Sequence, residues 1–148
     1  MLSVRLLSPG RRLSRFVTFA SSGTLHYEFD PESGYKLTCS VDPEIVNLAR
    51  ALIPVRLNRQ RYSPHITVIR NESILACAKT VWGAYEGKEV TFQYTTHIYN
   101  DDTYWWLRAN SCEFVAIRTE LMLPDFGRLS RPPDGADCFH ITIGNTKS

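Results

Sequence analysis

The 148-residue chain has little of what would mark a metal site, a membrane protein or a long-polyanion binder. Its four cysteines, Cys39, Cys77, Cys112 and Cys138, show no Cys-x-x-Cys spacing and read as reduced, mostly buried thiols. None of the four histidines stands with carboxylates at zincin, EF-hand or other metal spacing, so neither a catalytic metal nor a cofactor is expected. No apolar run reaches membrane length and no secretory signal is recognisable, which predicts no membrane partner and a cytoplasmic site of action. A net charge of only +2 is too small to argue for long duplex nucleic acid, but it suits a small anionic ligand. Acidic residues are missing before Glu28, while Arg5, Arg11, Arg12 and Arg15 crowd the first sixteen positions. A transit peptide has that composition; a basic, poorly ordered extension over residues 1–15 is the plainer expectation. The length predicts one domain, residues 1–148, burying roughly two-thirds of its unfolded surface.

What the chain does have is the tripeptide His-Ile-Thr twice, in Pro64-His65-Ile66-Thr67-Val68-Ile69 and in Phe139-His140-Ile141-Thr142-Ile143-Gly144. Both runs read as strands. Successive strand side chains point to opposite faces, so His65 shares a face with Thr67, and His140 with Thr142. One such motif alone reads as a hydrogen-bonded structural pair. Two of them bring a general base, a general acid and two hydroxyls able to hold phosphate oxygens.

The surroundings of the motifs repeat. A shift of 70 positions lays Leu37 on Leu107, Leu52 on Met122, Ile53 on Leu123 and Pro54 on Pro124. Each unit, about 35–70 and 104–145, reads as strand, helix, loop and strand. The first helix is expected over Asp42 to Ile53, with Asp42 as N-cap, Pro43 at the first helical position and Pro54 ending it. Ile45, Leu48, Ala49 and Leu52 form its apolar stripe. The second helix, Ser111 to Leu123, carries Phe114, Ile117 and Leu121 in the same way. Further strands are expected at Phe16 to Ala20, Thr24 to Asp30 and Glu89 to Tyr99, with turns at Ser21-Ser22-Gly23 and Asp30-Pro31-Glu32-Ser33-Gly34 and a short helix around Ser73 to Val81. Asp101-Asp102 reads as a hairpin turn, and His26 and His97 as ordinary strand residues. The irregular loop from Ser130 to Gly135 is placed to cover one side of the site. The sum is an α+β fold with two pseudo-symmetric lobes, each an antiparallel sheet with outer helices, facing across a central cleft.

Two His-x-Thr motifs 75 residues apart, each closing a strand-helix-strand unit, resemble the signature of the 2H phosphoesterase superfamily. The strings Ser21-Ser22-Gly23-Thr24-Leu25, Tyr27-Glu28-Phe29-Asp30-Pro31, Gly34-Tyr35-Lys36-Leu37, Leu57 through Val68, and Cys138 through Asn145 are similar to the phage anti-CBASS nucleases, 2H enzymes that degrade the cyclic oligonucleotide signals of a bacterial defence system. The resemblance spans roughly residues 17 to 146. It implies a 2H phosphoesterase-like fold and a metal-independent phosphodiesterase acting on cyclic di- or trinucleotides in the host bacterial cytoplasm. His65, Thr67, His140 and Thr142 would be the catalytic residues, with aromatic residues from both halves, Tyr35 and Trp106, stacking on the bases.

In the strand-like runs Leu37, Cys39 and Val41 alternate toward the helix, which turns Lys36 and Thr38 to the cleft; Trp106 and Arg108 likewise turn outward from Trp105, Leu107 and Ala109. Tyr35 breaks this alternation unless it starts its strand. Arg59, Arg61 and Arg70 flank the first motif and are candidates for a second phosphate. Three other functions fit parts of the pattern: a 2H enzyme opening RNA 2′,3′-cyclic phosphates, a non-catalytic sponge for the signal, and a generic nucleic-acid-binding β-domain. Only the last leaves the repeated tripeptide unexplained.

Overall fold

A computed structural model describes residues 2–3 and 17–147; the basic extension expected over residues 1–15 falls almost wholly outside the described residues. The strands are β1 (Leu2–Ser3), β2 (Thr18–Asp30), β3 (Gly34–Ser40), β4 (His65–Glu72), β5 (Glu89–Thr95), β6 (Tyr99–Asn100), β7 (Tyr104–Asn110) and β8 (Phe139–Asn145). Two helices, α1 (Pro43–Ala51) and α2 (Cys112–Glu120), have nine residues each. Among the described residues all strand pairings are antiparallel, in the order β1-β2-β3-β4-β8-β7-β5, and β5 pairs again with β2. Six strands thus close into a barrel, with β1 added on β2 and β6 on β7.

This closure overturns the expected α+β architecture of two lobes facing across a cleft, and with it the 2H phosphoesterase-like fold. The two strand-helix-strand units do form, as β3-α1-β4 and β7-α2-β8. They do not make separate sheets. The strands that carry the two motifs, β4 and β8, pair with each other through Ile66 and Ile141. Open strand edges have unpaired N–H and C=O groups, and the long β2 removes two of them at once: residues 18–24 pair with β5 and 25–30 with β3.

The corner in β2 explains one misplaced turn. Ser21-Ser22-Gly23 is continuous strand, because a Cβ at Gly23 would collide with the Ser40 carbonyl oxygen. The glycine permits close backbone approach rather than chain reversal. Glu89 to Tyr99 is likewise not one strand, as it breaks into β5 and β6. Of the helix expected around Ser73 to Val81, only a 3-10 turn at Lys79–Val81 forms.

The helix caps form as their residues dictate: Asp42 accepts from Glu44 N at 3.0 Å and Ser111 Oγ from Glu113 N at 3.2 Å. The apolar stripe of α1 is rotated from the expected one. Val46 and Ala49 are buried, whereas Leu48 and Leu52 are 65% and 73% exposed. In α2, Phe114, Ile117 and Leu121 are buried as a stripe, and Phe114 meets Phe139 edge-on at 5.3 Å. The core gathers Leu25, Leu37, Cys39, Ile66, Val90, Phe92, Leu107, Ala109, Phe139 and Ile141 from all six barrel strands, all on one face of the sheet. Cys39 and Cys138 are buried, and burial pushes both thiols up to about 12; Cys77 and Cys112 are exposed, against the expectation of mostly buried thiols. No helix among the described residues is long and apolar enough to cross a membrane.

Candidate functional site

Antiparallel register fixes the site. Ile66 is opposite Ile141, and continuing the antiparallel register by one residue each way sets His65 toward Thr142 and Thr67 toward His140. Ile66 and Ile141 turn into the core, so the four polar residues share the other face. In that register each imidazole faces the other motif's threonine and the two imidazoles fall on the diagonal, for which the usual backbone separation is ~7–8 Å. The motifs therefore meet as neighbours in one sheet rather than across a groove. Their charges interact: His65 is among the groups that hold the His140 pKa down.

The same face continues outward in both directions. Thr38 on β3 pairs with Thr67, and Arg108 on β7 pairs with His140. Trp106 pairs with Thr142. A register shift opposite Leu37 and Thr38 inserts an extra residue in β4, which lets Val68 and Ile69 both face the core without disturbing Thr67.

Both imidazoles are tied down through the same nitrogen. His65 Nδ1 donates to the Ser63 carbonyl at 2.8 Å, and His140 Nδ1 to the Ser130 carbonyl at 3.2 Å. A carbonyl only accepts, so Nδ1 carries the proton and Nε2 of each ring is left to act as base or, once protonated, as acid. Burial lowers the His65 pKa, with the cations Lys36 and Arg70 adding to the effect against the hydrogen bond to Ser63. Burial holds His140 lower still, at about 4, outweighing its bond to Ser130.

The Ser130 carbonyl is itself held firmly. Ser130 is 1% exposed, and its Oγ accepts from Gly127 N at 2.7 Å. A Cβ on Gly127 would collide with the carboxylate of Glu72, the last residue of β4. That carboxylate is gripped by Arg118 of α2, fully buried, with two contacts of 2.6 Å. Arg118 also donates to the Val68 carbonyl at 2.8 Å and to the Pro124 carbonyl at 2.7 Å. One guanidinium thus ties β4, α2 and the loop that presents Ser130 to His140.

Beyond His140, Arg108 pairs with Asp134 of the Ser130–Gly135 loop at 2.7 Å and lies 3.9 Å from the centre of the Tyr99 ring. Arg108 Nε and Trp106 Nε1 are buried with no hydrogen-bond partner among the described residues. Arg108 joins the site although the strand alternation alone marks it only as outward-facing. Its signal was present: it lies two positions after Trp106 on the same strand face.

The two expected base platforms do not open onto this site. Trp106 shares the site's face but is 1% exposed, with Tyr99 stacked on it at 6.4 Å. Tyr35 lies on the opposite face, packed between Phe29 at 4.7 Å and Trp82 at 4.8 Å. Its position in the β3 alternation, with Leu37 and Cys39, sends it to the core side. His26 is more than an ordinary strand residue, since it bridges Glu28 at 3.0 Å and Glu86 at 3.2 Å, chiefly through the Glu86 hydrogen bond that raises its pKa. Asp101 does make the expected turn, its Oδ1 accepting from Thr103 N and Tyr104 N. Arg70 lies on the site's face, paired with Lys36. Arg59 instead lines a groove with Asn47, Arg50 and Leu57 that includes none of the four His and Thr residues.

No group of three or more His, Cys, Asp or Glu residues able to hold a metal ion occurs among the described residues. No family model, curated protein or solved structure matches this chain.

Proposed function

We propose that this chain is a metal-independent phosphodiesterase that cleaves the 3′-5′ bonds of cyclic di- or trinucleotide signals and so counteracts the CBASS antiviral defence of bacteria. The observation that carries the chemistry is the pairing of Ile66 with Ile141, which sets two Nδ1-anchored imidazoles and two threonines on one face. The choice of substrate rests on the strings around both motifs that resemble the anti-CBASS nucleases.

The ribose 2′-OH next to the scissile phosphate is an intramolecular nucleophile, so the protein has only to align it. His140, the more strongly held in its neutral form, takes the 2′-OH proton on Nε2. The new bond from O2′ to phosphorus forms as the bond to the 5′-oxygen breaks. His65, less strongly depressed, carries a proton on Nε2 once the phosphate anion is beside it, and delivers that proton to the departing 5′-oxygen. Each such transfer contributes ~10²- to 10⁴-fold. Thr67 and Thr142 donate to the non-bridging oxygens as charge builds on them, and the Arg108 guanidinium supplies positive charge next to His140. The product is a linear oligonucleotide ending in a 2′,3′-cyclic phosphate.

Chromatography of cyclic di- and trinucleotides after incubation, with and without excess chelator, tests the proposal. Wild type should release linear products in both conditions, while His65→Ala and His140→Ala each retain the fold and lose turnover by at least 10²-fold. Intact ligand recovered after heat release would support a binding sponge instead, and turnover restored to a chelated enzyme only by added divalent ion would refute the metal-independent scheme.

A further inference from the structure

On the same face, one step along the strands from the Thr38–Thr67 pair, stands a second pair that stability alone does not explain. Lys36 on β3 is directly opposite Arg70 on β4. Like charges directly opposed across antiparallel strands destabilise a sheet. Neither side chain forms an ion pair among the described residues. On its other side Lys36 is directly opposite Glu28 of β2, but that carboxylate is engaged by His26 at 3.0 Å. Beside this pair Tyr62 is 59% exposed, with Lys36 Nζ 5.1 Å and Arg61 Cζ 5.6 Å from its ring centre.

We propose that Lys36, Arg70 and Tyr62 form a binding subsite for a second phosphodiester of the substrate, with the adjoining nucleobase stacked on Tyr62. This rests on the phosphodiesterase reading and names the side chains that take the phosphate not being cleaved. Two strand residues advance ~7 Å, a step comparable with the separation of neighbouring phosphates in an oligonucleotide. An anion between the two cations removes their mutual repulsion, so the subsite is stabilised only when filled. The field of both cations already reaches His65, where each lowers the pKa; a second phosphate neutralises that field and eases protonation of the acid as substrate binds. Tyr62, unlike Trp106, is open to solvent, and stacking on an aromatic ring tolerates any base.

The test compares a cyclic dinucleotide, with two phosphates, and a dinucleoside monophosphate, with one, on wild type and the Lys36→Gln/Arg70→Gln variant. The ratio of kcat/KM values, cyclic over single-phosphate substrate, should fall at least tenfold in the variant, mainly through KM. Relief of the like-charge pair should leave its melting temperature equal to or above that of wild type. Tyr62→Ala should raise KM for the cyclic substrate several-fold. An unchanged ratio would overturn the subsite. If wild type turns over neither substrate, the phosphodiesterase reading is what fails, and the subsite is read by titration calorimetry with the cyclic dinucleotide: a tenfold weaker variant upholds it, and equal affinity overturns it.

Discussion

Replacing Glu72 with alanine strikes the point where the barrel, α2 and the His140 loop are joined. In the native protein both carboxylate oxygens lie 2.6 Å from the Arg118 guanidinium, which has no exposure to water. Removing one partner of a buried pair costs about 3–5 kcal/mol, because the remaining charge loses its compensation but stays buried. Glu72 itself is 18% exposed, so water reaches the vacated space and the lower end of that range, about 3 kcal/mol, is expected. That is a large share of a stability of ~5–15 kcal/mol. With a urea dependence of ~2 kcal/mol/M, the unfolding midpoint should fall by ~1.5 M, read by circular dichroism. A Glu72→Leu/Arg118→Met variant, which leaves no buried charge, should recover much of the loss even though the bonds to the Val68 and Pro124 carbonyls are gone. A midpoint for Glu72→Ala within ~0.3 M of wild type would refute the account of Arg118 as a charge held by this one carboxylate.

Two other expectations follow from the same geometry. His140 binds protons less readily in the folded chain, at about 4, than the usual 6.5, so the unfolded state holds more protons between these values and stability falls as pH drops through that window. The full loss is ~3 kcal/mol below pH ~4. Urea titrations at pH 7, 5.5 and 4 on wild type and His140→Gln should show the slope reduced in the variant, and parallel slopes would disprove the assignment. Gly127→Ala drives a methyl into the Glu72 carboxylate and displaces the Ser130 carbonyl, so it should cut kcat on the cyclic substrate about tenfold or more while KM changes less. Normal kcat in a folded Gly127→Ala protein would show that this loop does not orient His140.

The sequence by itself determined the local elements. The Asp42 and Ser111 caps, the two strand-helix-strand units and the alternation that sends Thr38 and Arg108 to the side of His65 and His140 all depend on residues near one another in the chain. Period-two alternation was enough to group the four His and Thr residues by face within each strand. What alternation does not encode is which strands become neighbours. The pairing of Ile66 with Ile141, and the closure of β2 onto β5, depend on contacts far apart in sequence, and they turned two expected lobes into one barrel. Gly23 misled for the same reason: its need for space comes from Ser40, seventeen residues on, rather than from a local turn. Trp106 looked available because alternation gives a face but not a cover, and Tyr99 supplies the cover only once β6 folds against β7. Arg118, which no local pattern in the chain singles out, became the buried tie of the site because Glu72, Val68 and Pro124 converge on it only in the folded barrel.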